Sequence, residues 1–104
     1  MNDELESQLL KVKDLILNNE VVIEYFKVKE EIKNNKYLMD LNEKVRLSQK
    51  EMSLAINDEK LYTIKKEEYL NLYNEYHNNP LINNYEYLKD EVYNLLSQIK
   101  DVLQ

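Results

Sequence analysis

The sequence contains no glycine and no cysteine, and its single proline is at position 80. Without glycine, the chain lacks the residue on which phosphate-binding loops, nucleophile elbows and hairpin turns with positive φ depend. Without cysteine, it can form no disulfide, no thiolate nucleophile and no zinc or iron–sulfur site with cysteine ligands. The usual nucleotide sites and cysteine chemistry are therefore excluded, and no cofactor is predicted.

Positive charge is also scarce. The 104 residues include 14 lysines and arginines against 20 acidic residues, a net charge of −6, and Arg46 is the one arginine. Because neutralising a nucleic-acid backbone requires clustered basic residues, no direct contact with nucleic acid is predicted. The first residues are acidic where a secretory leader is basic, and no apolar run approaches the ~18 residues of a membrane span. We therefore expect a soluble cytoplasmic protein with no membrane contact.

Apolar residues recur at intervals of three and four along most of the chain, which is typical of α-helices. Asparagine is a favoured helix-capping residue, and asparagine-containing pairs divide the chain into about five helices. These pairs are Asn18-Asn19, Asn34-Asn35, Asn57-Asp58 and Asn78-Asn79. The prediction is an all-α fold: one domain over residues 1–104, built as a small antiparallel helical bundle whose last two helices form a long hairpin.

The first three helices each carry one apolar stripe. The first helix is predicted from about Asp3 to Leu17, and Asn19 is expected to cap the second. The stripe of the first consists of Leu5, Leu9, Val12 and Ile16. That of the second consists of Val21, Tyr25, Val28 and Ile32. That of the third consists of Leu38, Leu41, Val45, Ser48, Met52 and Ala55.

The fifth helix has the clearest pattern. Asn79 is expected at its N-cap and Pro80 at its first position, where the missing N–H costs nothing. Seven apolar residues then follow at alternating steps of four and three, a heptad repeat without a charged residue. This seam consists of Leu81, Tyr85, Leu88, Val92, Leu95, Ile99 and Val102. The repeat predicts a buried face, which belongs either to the core of the protomer or to an oligomer interface.

Residues with catalytic or metal-binding chemistry are few. His77 follows Asn74 where a metal-binding bundle would have Glu, so we interpret it as a polar residue near a helix C-terminus. Asp40 and Glu43 have a spacing that could hold Mg²⁺, but no second motif accompanies them, which favours a solvated face. A metal-dependent hydrolase at this pair is kept only as a third hypothesis. No enzymatic activity and no metal site are predicted.

Tyrosines form a further stripe on the fourth helix. Its members are Tyr62, Tyr69, Tyr73 and Tyr76. Platforms that stack bases combine aromatic residues with positive charge, whereas Glu67, Glu68 and Glu75 adjoin this stripe. Packing in a core or an interface is the better interpretation, because a tyrosine ring buries like an apolar group while its hydroxyl stays in water.

Three segments in this order resemble the YlbF/YmcA family of small helical bacterial proteins, which includes the YheA-type members. They are residues 19–27 leading to Ile32, residues 35–49, and residues 79–88 running into residues 92–99. The resemblance implies an all-α protein that forms dimers or higher oligomers, has no enzymatic activity and acts as a regulatory subunit. It also implies a link to ribonuclease Y-dependent mRNA processing and, through it, to competence, biofilm formation and sporulation. Some members are associated with iron–sulfur clusters through cysteines, which this chain lacks.

Two hypotheses follow. The first is a non-enzymatic, oligomeric helical regulator that acts by protein–protein contact, as a homodimer or higher homo-oligomer with possible partners in a ribonuclease-regulating complex. The alternative is a structural helical adaptor or spacer with no role in RNA metabolism. Because the chain is acidic, any effect on RNA is expected to pass through a protein partner.

Overall fold

The computed structural model describes residues 2–103, with side chains described for residues 3–102. Over this range the chain forms five helices and no strand. The helices are α1 (Asn2–Leu17), α2 (Glu20–Lys33), α3 (Lys36–Leu54), α4 (Glu59–His77) and α5 (Pro80–Leu103). The predicted all-α class and number of helices are confirmed. No helix in the described part of the chain is long and apolar enough to span a membrane.

Asparagine and aspartate side chains begin four of the helices, as predicted. In each case a side-chain oxygen accepts a hydrogen bond from a backbone N–H in the first turn, which would otherwise lack a partner. Asn19 accepts from the N–H of Val21 (2.9 Å), and Asn35 accepts from the N–H of Leu38 (3.0 Å). Asp58 accepts from the N–H of Leu61 (3.1 Å), and Asn79 accepts from the N–H of Leu81 (2.9 Å). No residue between 2 and 103 has positive φ. The helices are therefore joined without the left-handed conformations that favour glycine.

The chain divides into two compact units. The second unit, Glu30–Asn84, contains α3 and α4, which are in close contact. Of the stripe predicted on α3, Leu38, Leu41, Ser48 and Ala55 are buried, and Val45 and Met52 are half-buried. The Ser48 hydroxyl donates a hydrogen bond to the carbonyl of Val45 (2.8 Å), so this buried polar group has a partner. The predicted stripe of α3 is confirmed.

Two polar contacts show that α3 and α4 are antiparallel. Near the start of α3, the Tyr37 hydroxyl donates to Glu75, close to the end of α4. Near the other end of α3, Lys65 Nζ of α4 lies 3.3 Å from Glu51 Oε2. The hydrogen bond to Glu75 raises the pKa of Tyr37, since the carboxylate stabilises the protonated phenol. The two helices form a hairpin with one such contact toward each end.

The first unit comprises the residues up to Lys29 and those from Tyr85 onward. It holds α1, most of α2 and most of α5. Its buried side chains include Val22 and Val28 of α2 and Leu88 of α5. The rings of Tyr25 and Tyr85 stack with their centroids 5.5 Å apart and their planes at 21°, so α2 and α5 are in contact in this unit.

Candidate interaction surface on the first and last helices

The residues singled out for catalytic or metal-binding chemistry lie in the second unit, where Asp40 and Glu43 are exposed and His77 is half-buried. Both carboxylate oxygens of Glu43 accept hydrogen bonds from Arg46, at 3.0 Å from Nε and 2.6 Å from Nη2. These hydrogen bonds lower the pKa of Glu43. The carboxylate of Glu43 thus forms an ion pair with the guanidinium of Arg46 on the same helix. His77 is the last residue of α4, and its ring centroid lies 4.1 Å from that of Tyr73.

Among the described residues, no group of three or more histidines or acidic residues is arranged to hold a metal ion. Every buried side-chain nitrogen or oxygen in this part of the chain has a hydrogen-bond partner.

The predicted seam follows α5 and is covered unevenly. Leu88 is buried, with 6% of its surface exposed. Five seam residues are half-buried, namely Leu81, Tyr85, Val92, Leu95 and Ile99. Val102 is 85% exposed. Leu81 lies in the second unit and the other seam residues in the first. In the first unit, the heptad pattern therefore continues to Val102, although the chain itself buries the stripe fully only at Leu88.

An open groove of about 340 Å³ lies between α1 and α5 in the first unit. Its lining residues are apolar except for one amide, and they are Val12, Leu15, Leu95, Gln98, Ile99 and Val102. None of the described residues that line it is charged. Such a groove is suited to burying apolar side chains, which stabilises a complex by about 25 cal/mol per Å² removed from water.

The order of the lining residues gives the relative direction of the two helices. A second hollow in the same unit is lined by Asn19 and Val21 together with residues of α5 between Glu91 and Gln98. The groove joins the earlier residues Val12 and Leu15 to later residues of α5, as far as Val102. The segment just after α1 thus lies beside earlier residues of α5 than α1 itself does, which indicates that α1 runs antiparallel to α5.

The N-terminal half of α1 carries exposed apolar side chains. Val12 already shares the groove with Val102, one residue before α5 ends at Leu103. The stripe residues Leu5 and Leu9 precede Val12 on α1 and are 57% and 52% exposed. We call residues 3–10 of α1 the overhang. Its stripe has the spacing of a buried face, yet its side chains are exposed.

The turn of the α3–α4 hairpin carries a smaller apolar patch. Leu54 is 76% exposed and Ile56 is 68% exposed. Scattered apolar residues are normal on protein surfaces, whereas contiguous apolar patches mark interaction sites. The surface of α1 and α5 differs from this turn because it combines an extended stripe and a groove in one unit.

A family model described as "Control of competence regulator ComK, YlbF/YmcA" matches residues 5–104. No curated protein and no solved structure matches the chain.

Proposed function

The chain belongs to the YlbF/YmcA family, and from this membership we propose that it is a non-enzymatic regulatory protein that acts through protein–protein contact. The family is described by its link to control of competence. The described residues offer an apolar groove between α1 and α5, exposed apolar side chains on α1, and an exposed Val102 at the end of the seam. We place this activity in the cytoplasm.

The observation that carries the proposal is the uneven burial of the seam. Leu88 is 6% exposed, whereas Val102, two heptads later on the same stripe, is 85% exposed. An apolar heptad repeat is typical of a helix face that packs against another helix. Our proposal is that another protein surface covers the C-terminal part of the seam, and that the chain works as a homodimer or higher homo-oligomer.

The finer role follows from the family. We propose that the oligomer takes part in a complex that modulates ribonuclease Y-dependent mRNA processing, and thereby competence, biofilm formation and sporulation. The net charge of −6 supports an indirect effect, because a protein partner would then supply the positive charge that RNA binding requires.

Affinity capture from the native bacterium at native expression tests this role. We expect the wild-type chain to recover ribonuclease Y or its regulatory partners. Recovery of membrane or cell-division proteins alone would contradict the proposal and favour a structural adaptor or spacer.

Two variants test whether the seam on α5 is the surface that captures the partners. Val102→Asp places a charge at the exposed end of the seam, where the side chain is 85% exposed and folding of the protomer does not depend on it. Leu54→Asp is the matched control, because it changes a similarly exposed residue, 76%, in the second unit. We expect Val102→Asp to reduce both capture and self-association, and Leu54→Asp to leave self-association unchanged. Equal effects of the two variants would refute the assignment to the seam.

A further inference from the structure

We propose that α1 pairs antiparallel with α1 of a second copy of this chain, with the overhang of each copy lying against the groove of the other. This inference rests on the proposed function and names the occupant of the same surface. Two features of the first unit motivate it: an overhang with exposed Leu5 and Leu9, and an apolar groove that includes Val12. Antiparallel pairing of two α1 helices accounts for both features at once.

The spacing of the stripe defines which residues meet. Leu5, Leu9, Val12 and Ile16 follow steps of four, three and four, which are the a and d positions of a heptad repeat. In an antiparallel pair, a positions of one helix stack against d positions of the other. The register with the greatest overlap sets Leu9 against Val12 of the second copy and Leu5 against Ile16 of the second copy. By twofold symmetry each contact occurs twice, so all four stripe residues of both helices are paired.

The charged residues beside the stripe select this register. Glu6 follows the d position Leu5, and Lys13 follows the d position Val12; both side chains are exposed. These e positions flank the stripe and face the e positions of an antiparallel neighbour, where charges set orientation and partner choice. In the register above, Glu6 faces Lys13 of the second copy, and the opposite pair forms by symmetry.

The alternative registers place like charges together. A shift by one heptad in one direction sets Glu6 against Glu6 of the second copy, and a shift in the other direction sets Lys13 against Lys13 of the second copy. Each shift also halves the number of paired stripe residues. Like charges at such positions are unfavourable, so burial and charge favour the same register.

The same register fills the groove. Leu5 and Leu9 of the second copy lie beside Ile16 and Val12, next to the groove residues Ile99 and Val102 of α5. Leu15, which also lines the groove and is 72% exposed, faces the uncharged Gln8 of the second copy, on the flank of the stripe opposite Glu6 and Lys13. The groove thus receives the apolar side chains that the overhang leaves exposed.

Exchange of the two charges tests the register. Glu6→Lys sets lysine against lysine at both symmetric positions, and Lys13→Glu sets glutamate against glutamate. We expect each variant alone to weaken self-association about tenfold in sedimentation equilibrium at low salt. An equimolar mixture of the two variants should associate as tightly as the wild type, because every facing pair is again of opposite sign. Circular dichroism should show unchanged helix content, since both side chains are exposed.

Cross-linking gives an independent readout, because the wild-type chain has no cysteine. Oxidation of a mixture of Leu9→Cys and Val12→Cys chains should give the mixed disulfide dimer, identified by intact mass, in preference to either homodimer. A Leu5→Cys and Leu9→Cys mixture is the control, and its preferential cross-linking would indicate the shifted register and overturn the proposal.

The outcomes separate this inference from the proposed function. A wild-type chain that stays monomeric contradicts the oligomeric function itself. A wild-type chain that dimerises, but whose charge variants associate normally or are not restored by mixing, contradicts only the α1 pairing.

Discussion

Replacement of Leu38 by alanine tests the packing of the second unit. Leu38 is 1% exposed and lies on the buried stripe of α3, within the unit where α3 contacts α4. Truncation of a buried leucine removes its transfer free energy and leaves a cavity, which together cost 2–5 kcal/mol in well-packed cores. We expect the free energy of unfolding to fall by about 3 kcal/mol. For a domain near this size, this corresponds to a decrease in Tm of about 12–24 °C.

Urea unfolding followed by circular dichroism measures this change. The protomer concentration must be held constant, because self-association adds to the apparent stability. Leu54→Ala is the matched control: the same substitution on the same helix, at a residue that is 76% exposed, should change the free energy of unfolding by less than about 0.5 kcal/mol. A loss below about 1 kcal/mol for Leu38→Ala, or equal losses for both variants, would refute the assigned packing.

Three further predictions concern a cap, a tyrosine and the seam. Asn35→Ala removes the acceptor of the 3.0 Å bond from the Leu38 N–H and should lower the free energy of unfolding by about 1 kcal/mol in the same urea assay, with no loss contradicting the cap. Tyr37 should ionise above its ordinary pKa of 10.0, so its contribution to stability is present below that pH and lost as the pH rises through the raised pKa. Absorbance titration of wild type against Tyr37→Phe checks this, and a Tyr37 component titrating at or below 10.0 would contradict it. Leu88→Glu puts a charge at a residue that is 6% exposed and should cost several kcal/mol, while a thermal unfolding curve like that of wild type would contradict its burial.

The capping residues and the stripe of α3 could be predicted from the sequence because both depend on local interactions. Asn35 and Asp58 bond to backbone groups three residues away, so the residue type and its place before an apolar run are sufficient signals. The stripe of α3 is a single apolar face, and one helix in close contact is enough to bury it.

Other features depend on contacts that no local pattern specifies. The Tyr37–Glu75 bond joins residues 38 positions apart, and neither residue is unusual in its own segment. At the start of α5 the heptad pattern assigned Leu81 to the seam, whereas its neighbour Ile82 is the more deeply buried, at 2% exposed. Both residues lie in the first turn, and the tertiary packing decides which one is covered.

The stripe of α1 shows the limit of periodicity most clearly. Leu5 and Leu9 have the same spacing as Val12 and Ile16, yet they are 57% and 52% exposed while the latter two are half-buried. Periodicity identifies a face that is suited to burial and does not identify what covers it.

Sedimentation equilibrium of the wild-type chain over the micromolar range tests the central claim, that the α1 and α5 surface is covered by another copy. We predict a mass of about twice the 12.6 kDa of the chain, or a higher multiple, decreasing toward 12.6 kDa for Val102→Asp. A wild-type mass that stays at 12.6 kDa at every concentration would contradict the claim.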